Sequence, residues 1–351
     1  MSVKYTPVQW NGNKWLYDAV LVVCAALYLI VYIRYVPGAL GFSQPITGDI
    51  LNARAFGSCA FLMLSVILAI GPLARLDRRF LPLLYNRRHF GVLTAFVAIA
   101  HFTYILNWYF AFSPTPNLEG LLLSNTSFGE FLGFPFEILG LFTLIVLLVL
   151  AATSHDFWLK FLTPPVWKGL HMLIYPAYAA AVGHVALGGL QSRESAITAI
   201  IVGAAAFIVA GLHIAAALKG RQDDDPAATP DGEWHKVCRV EDIREGFARI
   251  ARLPDNQRVA VFRQDGKLSA IANACAHQNG PLGEGRIVDG FVTCPWHGFQ
   301  YRANDGCSPA PFTEKVPTYR LRVADGVVSV NERANPPGTY VEPVAIGEAA
   351  R

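Results

Sequence analysis

Charge is scarce in this sequence. Asp, Glu, Lys and Arg make up 16% of its 351 residues, against 53% hydrophobic, and that balance excludes an ordinary soluble globular protein. The scarcity is uneven: residues 1–220 hold 13 Lys/Arg and 8 Asp/Glu, residues 221–351 hold 16 and 18. Nets of +5 and −2 return the +3 of the whole chain. Cysteine is sparse too, six in all, in no pattern that implies a disulfide framework. No G-x-G-x-x-G follows a strand, so no nicotinamide or flavin module is visible. No nucleic-acid partner is expected.

What is present before residue 220 is apolar length. Six stretches, near 15–36, 53–73, 87–111, 134–153, 166–190 and 194–218, reach the ~20 residues that cross a bilayer's hydrocarbon. Buried helices of a large soluble domain would need polar faces that these lack. The first is too long for a removed signal peptide and lacks a small-residue cleavage site. Arg75, Arg78, Arg79, Arg87 and Arg88 crowd the loop between the second and third stretches. Lys160 and Lys168 lie in the next loop on that side, while 112–133 has no Lys or Arg. The positive-inside rule then puts both termini, and whatever follows the last span, in the cytoplasm of a cell (inner) membrane.

Charge returns at Lys219-Gly220-Arg221-Gln222-Asp223-Asp224-Asp225-Pro226, which reads as a linker. The expected organisation is a six-span transmembrane domain over 1–219, a linker over 220–233, a small all-β domain over 234–333 and a tail over 334–351. Asp265-Gly266, Asp289-Gly290 and Asp325-Gly326 are hairpin-turn chemistry between short strands, as an antiparallel domain requires.

Inside that domain Cys275-Ala276-His277 is followed by Cys294-Pro295-Trp296-His297. Each loop offers one thiolate and one imidazole. A [2Fe–2S] cluster with two Cys on one iron and two His on the other is built that way, each loop giving one ligand to each iron. Zinc sites more often group a Cys pair before a His pair, and zinc or a structural Cys/His cluster remain the rival readings. With Gly280-Pro281-Leu282-Gly283, Gly298 and Gly306-Cys307-Ser308-Pro309 around them, the loops resemble the Rieske ferredoxin family from about Trp234 to Glu332. The resemblance implies ligand loops capping a sheet, with Pro309 and Pro311 in a covering loop. It also implies exposed edges of His277 and His297 for electron exit. Phe299 stands where high-potential members carry Ser, and their extra Cys pair is missing. The implied potential is the low end of the Rieske range, near −150 mV.

Ionisable side chains within spans are functional candidates by default. The third span carries His89 and His101, the fifth His171 and His184. These spans run parallel, so His89 and His171 share a cytoplasmic level and His101 and His184 a deeper one, about 18–20 Å away. On an ideal helix the members of each span's pair lie about 120–140° apart around the axis. Pro176 can kink the fifth span; the third has no proline, only Gly91. Arg87-Arg88-His89-Phe90-Gly91, His101, the run Trp167-Lys168-Gly169-Leu170-His171-Met172-Leu173-Ile174-Tyr175, and His184 resemble the ferric reductase-like transmembrane family over about residues 50–190. Within it the chain is similar to the haem-binding subunit of methionine sulfoxide reductase. That implies b haem, one or two, held by His101, His171 and His184. His89 departs from that subunit and fits the wider family's two-haem pattern. For His101, His171 and His184 the competing reading is a neutral imidazole bonded to a neighbouring helix; for His89 it is an interfacial residue beside the arginines. Arg87 and Arg88 suit haem propionates or serve only as topology-setting charge. His155 and His213 are placed at the cytoplasmic boundary without partners. Asp18 and Glu137 face headgroups or water, or serve a proton relay.

The expectation is a membrane-bound oxidoreductase with no catalytic side chain of its own. A cytoplasmic donor of ferredoxin or flavin reductase type feeds the cluster, then the haem, then an external acceptor, a quinone or a periplasmic reductase subunit. The alternatives are reverse flow from quinol or haem to a cytoplasmic oxygenase, and a redox or haem sensor.

Overall fold

A computed structural model of the chain describes residues 12–39, 48–84, 86–110, 115–123, 125–131, 133–155, 158, 161–162, 164–191, 196–223, 230–231, 233–254, 257–277, 279–296, 298–310 and 312–346. They divide into two compact units. Residues 10–73 and 86–214 form a helical unit, and residues 74–85 and 215–351 belong to the other. The helices are α1 (Gly12–Ala39), α2 (Gly48–Leu76), α3 (Leu81–Leu84), α4 (Arg87–Phe110), α5 (Asn117–Leu123), α6 (Phe136–Ala152), α7 (Pro164–His171), α8 (Ile174–Gln191) and α9 (Ala196–Asp223). Five helical segments among the described residues are long and apolar enough to cross a membrane: Lys14–Gly38, Gly48–Leu76, Arg87–Trp108, Val166–Gly188 and Ile200–Lys219. This corrects the expected six. The stretch that falls short is α6, whose 17 residues rise about 26 Å, just under a hydrocarbon core of about 30 Å.

Four helices make the core of this unit. Phe61 of α2 stacks on Tyr178 of α8, whose hydroxyl lies 3.0 Å from Ser65 Oγ. Thr143 of α6 donates to the carbonyl of Ala177 at 3.0 Å. Small residues at the contacts, Ala53, Ala55, Ala95 and Ala177, are nearly or fully buried; with no side chain beyond Cβ they let backbones approach where lipid offers no hydrophobic push. The expected kink is a break between α7 and α8. Pro176 has no N–H to give the carbonyl of Met172, and the Tyr175 N–H takes that carbonyl at 3.1 Å instead. His171 is the last residue before the break.

At the end of α2, Lys219 donates to the carbonyls of Arg75 and Leu76 at 3.2 and 2.9 Å, a cation on a helix C-terminus. Helix α9 continues to Asp223, into the expected linker, because no proline stops it before Pro226. Residues 224–229 lie outside the described set.

From Pro230 on, the second unit is antiparallel β. Its strands are β1 (Pro230–Asp231), β2 (Trp234–Arg239), β3 (Ala248–Arg252), β4 (Arg258–Gln264), β5 (Lys267–Ala272), β6 (Arg286–Val288), β7 (Phe291–Thr293), β8 (Gln300–Tyr301), β9 (Thr318–Tyr319), β10 (Leu321–Ala324), β11 (Val327–Asn331) and β12 (Val344–Ala345). They form sheets ordered β1-β2-β11-β10, β12-β5-β4-β3 with β9 also on β5, and β6-β7-β8. The three Asp-Gly pairs are the two-residue turns of β4–β5, β6–β7 and β10–β11. In each, both φ values are positive, 51° at Asp and 68–81° at Gly, as a type I′ turn demands. Strand β4 is buried on both faces. Val259 and Val261 point into a core with Leu268, Val328 and Val330; Ala260 and Phe262 point into another with Leu282, Val292, Cys275 and Cys294. Cys275 and Cys294 are thus part of a packed core. The expected tail is not one: β12 pairs with β5, and Val341 donates to the carbonyl of Asn304 at 2.8 Å, so residues to Ile346 wrap the domain.

After β8 a turn is pinned by Asp305. Burial alone would push its carboxyl up. The Arg302 guanidinium, 2.8–3.2 Å away, and the Cys307 N–H at 2.8 Å outweigh that and hold it below the usual carboxylate range. A carboxyl lowered on folding stabilises the fold above its unfolded pKa of about 3.9 and loses that contribution as pH falls through the lower folded value. Asp305→Asn should therefore melt roughly 2–4 °C below the parent near neutral pH. The gap should close as acid protonates the parent; a gap of constant size would refute the ion-pair account.

Candidate metal centres

In the β unit the two Cys/His loops are near-copies. Cys275 N–H donates to the carbonyl of Gly280 at 2.9 Å, and Cys294 N–H to that of Phe299 at 2.8 Å, so each loop closes over six residues. Within each, the fifth residue turns back on the cysteine carbonyl: Asn279 at 2.7 Å and Gly298 at 3.0 Å. Both are left-handed, φ +57° and +70°, a conformation that Asn and Gly tolerate. The first loop leads into the 3₁₀ turn Leu282–Glu284, and the second joins β7 to β8. Gly280 is where the loops meet. A β-carbon there would stand 2.5 Å from Cys294 Sγ and 3.2 Å from Trp296 Cγ, so only glycine fits.

Tyr301, fully buried at the end of β8, supports the first cysteine. Its hydroxyl accepts from the Ala276 N–H at 3.0 Å and lies 3.3 Å from Cys275 Sγ. Burial first, then the charge of Cys275, raises the phenol far above its ordinary range, so it is a neutral donor to sulfur. The Cys275 thiol is held below its ordinary value, first by a hydrogen bond with Cys294; Tyr301 and the His277 N–H add to that against the opposing effect of burial. A readily formed thiolate suits metal ligation. His277 lies flat on Phe299, centroids 5.0 Å and planes 11° apart, and Phe312 from the covering loop packs on the same ring at 4.9 Å. His277 is only 9% exposed. Phe299 covers one face of that ring, and the ring's Nδ1 is buried. His297 and Pro311 lie outside the described residues. Among the described residues no three Cys, His, Asp or Glu side chains gather round one ion; a two-iron cluster asks for two ligands per iron.

In the helical unit the structure brings His101 of α4 and His184 of α8 together, ring centroids 6.2 Å apart and planes crossed at 76°. Two imidazoles on opposite sides of one iron have ring centres about 6 Å apart, since each metal–nitrogen bond is about 2 Å. Each ring is fixed from a neighbouring helix. His101 Nδ1 lies 2.7 Å from the Ala53 carbonyl and His184 Nδ1 2.8 Å from that of Phe136. A carbonyl only accepts, so Nδ1 carries the proton in both, and Nε2 is the lone-pair nitrogen suited to a metal. The rival reading, a His bonded to a neighbouring helix, describes the same contacts and does not compete with ligation. These residues fit an iron porphyrin.

His171 has different company. Its ring stacks on Trp167 at 3.7 Å, its Nδ1 lies 3.0 Å from the carbonyl of that residue, and its buried Nε2 has no hydrogen-bond partner. Arg88 sits over the Trp167 ring at 5.8 Å, making a column of guanidinium, indole and imidazole. Arg87 lies at the head of α4, its guanidinium 3.5 Å from where a β-carbon on Gly71 would be. His89 is engaged by α1: its Nδ1 is 2.7 Å from Asp18 Oδ2, and Asn86 donates to Asp18 Oδ1 at 2.6 Å. Asp18 therefore faces His89 and Asn86, not headgroups alone. His213, expected without a partner, has Nε2 3.2 Å from the Tyr175 hydroxyl. Sequence reasoning also missed Ala53, Gly57, Phe136 and Gly140, the residues behind the facing imidazoles. A carbonyl and a glycine carry no metal-ligand signal.

A family model described as a Rieske [2Fe-2S] domain matches residues 233–320, and one described as a ferric reductase like transmembrane component matches 55–182. The anthranilate 1,2-dioxygenase ferredoxin subunit of Burkholderia cepacia is 36% identical over 100 residues, 28% of this chain and 92% of that protein. The 3-phenylpropionate/cinnamic acid dioxygenase ferredoxin subunit of Photorhabdus laumondii is 34% identical over 99 residues, 27% of this chain and 90% of that one. The cholesterol 7-desaturase of Ciona intestinalis is 32% identical over 100 residues, 28% of this chain, which thus spans only 21% of that relative.

Proposed function

From a chain that belongs to the Rieske [2Fe–2S] family through its C-terminal domain and carries a ferric reductase-like transmembrane component before it, we infer a membrane oxidoreductase. It takes electrons from a cytoplasmic donor of ferredoxin or flavin reductase type and delivers them to an external or quinone-linked acceptor. Cys275, Cys294, His277 and His297 would hold the cluster. His101 and His184 would hold haem b, with His171 and His89 as candidates for a second. Both groups, when bound, supply one-electron chemistry. The chain's own residues prepare the sites. Tyr301 donates to sulfur, Phe299 covers one face of His277, and Ala53 and Phe136 hold the Nδ1 protons of His101 and His184. Arg87 and Arg88 stand ready to pair with carboxylates. The facing pair His101/His184, within an apolar bundle, is the observation that supports the reading most. The basic loops support a Rieske domain on the cytoplasmic side of the cell membrane.

Anaerobic stopped-flow with a ferredoxin reductase as donor tests the direction. The cluster signal should change before the haem α band, and the cluster midpoint should lie near −150 mV, the low end of the Rieske range. Haem reduction that precedes the cluster, or a midpoint above about +100 mV, overturns it. The likeness to dioxygenase ferredoxin subunits favours one second reading, with electrons leaving through the Rieske domain to a cytoplasmic oxygenase. In that case the haem midpoint lies below that of the cluster.

A further inference from the structure

The surroundings of His101 recur around His184. The carbonyl that receives each Nδ1 proton lies 48 positions earlier, Ala53 in one case and Phe136 in the other. One helical turn after each carbonyl comes a glycine. A β-carbon on Gly57 would stand 2.8 Å from His101 Nδ1, and one on Gly140 would stand 2.7 Å from His184 Cε1. Adding 83 to 53, 57 and 101 gives 136, 140 and 184. The same step takes Thr94 to Ala177, both fully buried.

Helix geometry explains why the three residues travel together. A carbonyl at position i already accepts from the N–H of i+4, and its second lone pair is free for another donor. A side chain at i+4 lies on the same face and would cover that lone pair. Glycine uncovers it, though glycine within a helix is otherwise unfavourable. We propose that α2–α4 and α6–α8 are two copies of one imidazole seat. In each, Gly57 or Gly140 is the positioning residue that admits the ring to the carbonyl, and the two seats together set the 76° crossing of two imidazoles on one haem iron. The proposal rests on the haem reading above.

The test uses the full chain in nanodiscs, with the Rieske electron paramagnetic resonance signal as internal standard. Gly57→Ala and Gly140→Ala are compared with Gly183→Ala, whose methyl would meet only Leu139 Cδ1 at 3.1 Å, and Gly203→Ala, which meets nothing within 4 Å. The parent should show the strongly anisotropic low-spin ferric signal of crossed imidazole planes. Each seat variant should shift its largest g value and lose haem to apomyoglobin about ten-fold faster, as loss of an outer-shell partner typically does. The two controls should do neither. Unchanged g values and haem retention in both seat variants overturn the proposal, as does equal haem loss in Gly183→Ala. If Gly57→Ala does not accumulate, Gly57→Ala/His101→Ala should accumulate as His101→Ala does, because the ring the methyl meets is gone; failure of the double as well overturns it. A parent without b-type haem defeats the haem reading itself, a result distinct from a haem-loaded parent with indifferent glycines.

Discussion

Replacing His101 and His184 together by alanine should abolish the dithionite-reduced b-type α band assigned to this pair and leave the Rieske signal in place. Two imidazoles with ring centroids 6.2 Å apart within four packed helices have no nearby substitute ligand among the described contacts around them, Ala53, Phe136, Gly57 and Gly140. Losing a mere outer-shell partner costs 10–100-fold in metal affinity, so losing both direct ligands should cut the haem held by this pair, per cluster, by more than about ten-fold. Single variants should retain a weakened, partly high-spin haem. His171→Ala supplies the count: a remaining band of about half the parent's intensity means a second haem at that level. Unaltered absorbance in the double variant would refute the haem site proposed for these residues.

The second large effect needs no ligand change. Gly280→Ala places a methyl 2.5 Å from Cys294 Sγ, well inside contact distance, and 3.2 Å from the Trp296 ring. Neither neighbour can yield easily. Cys294 is tied to Phe299 by its own N–H, and the loops share one packed core. Iron and acid-labile sulfide per chain should therefore drop by about ten-fold or more. Gly298→Ala is the matched comparison. Its β-carbon would meet nothing, and only the left-handed φ of +70° opposes it, a strain of roughly 1–2 kcal/mol. It should keep most of its cluster. Full iron content in Gly280→Ala would sink the claim that the loops meet there.

Much of this architecture is legible from residue patterns because the causes are local. Asp-Gly pairs need positive φ twice, and they mark three hairpins. Pro176 lacks an N–H, and the break appears at the carbonyl four residues back. Apolar length marks the spans, with α6 at the margin because a continuous hydrophobic run does not fix where the helix begins. The burial of both faces of β4 is less visible: Arg258-Val259-Ala260-Val261-Phe262 passes for an alternating strand until two cores claim its two sides. Hardest to see are features made of backbone. The seat carbonyls are invisible in side-chain chemistry, and the glycines among the spans look like any other small residue of a membrane helix. The step of 83 residues is written in the sequence, yet only the two hydrogen bonds say which positions to align. The stacking of His277 on Phe299 is equally hidden, since it joins two loops that are far apart in the chain.

Among the described contacts, helix α1 has no part in holding the facing imidazoles. Much of its membrane stretch is exposed, and it is moored by Asp18 at one end and by Tyr28 on Ser58 farther along. A shortened protein that keeps only α2, α4, α6 and the α7–α8 pair would retain every group that touches His101 and His184 in the contacts described. The porphyrin-binding capacity of this chain should thus be separable from its outer span, a starting point for building a minimal artificial redox bundle.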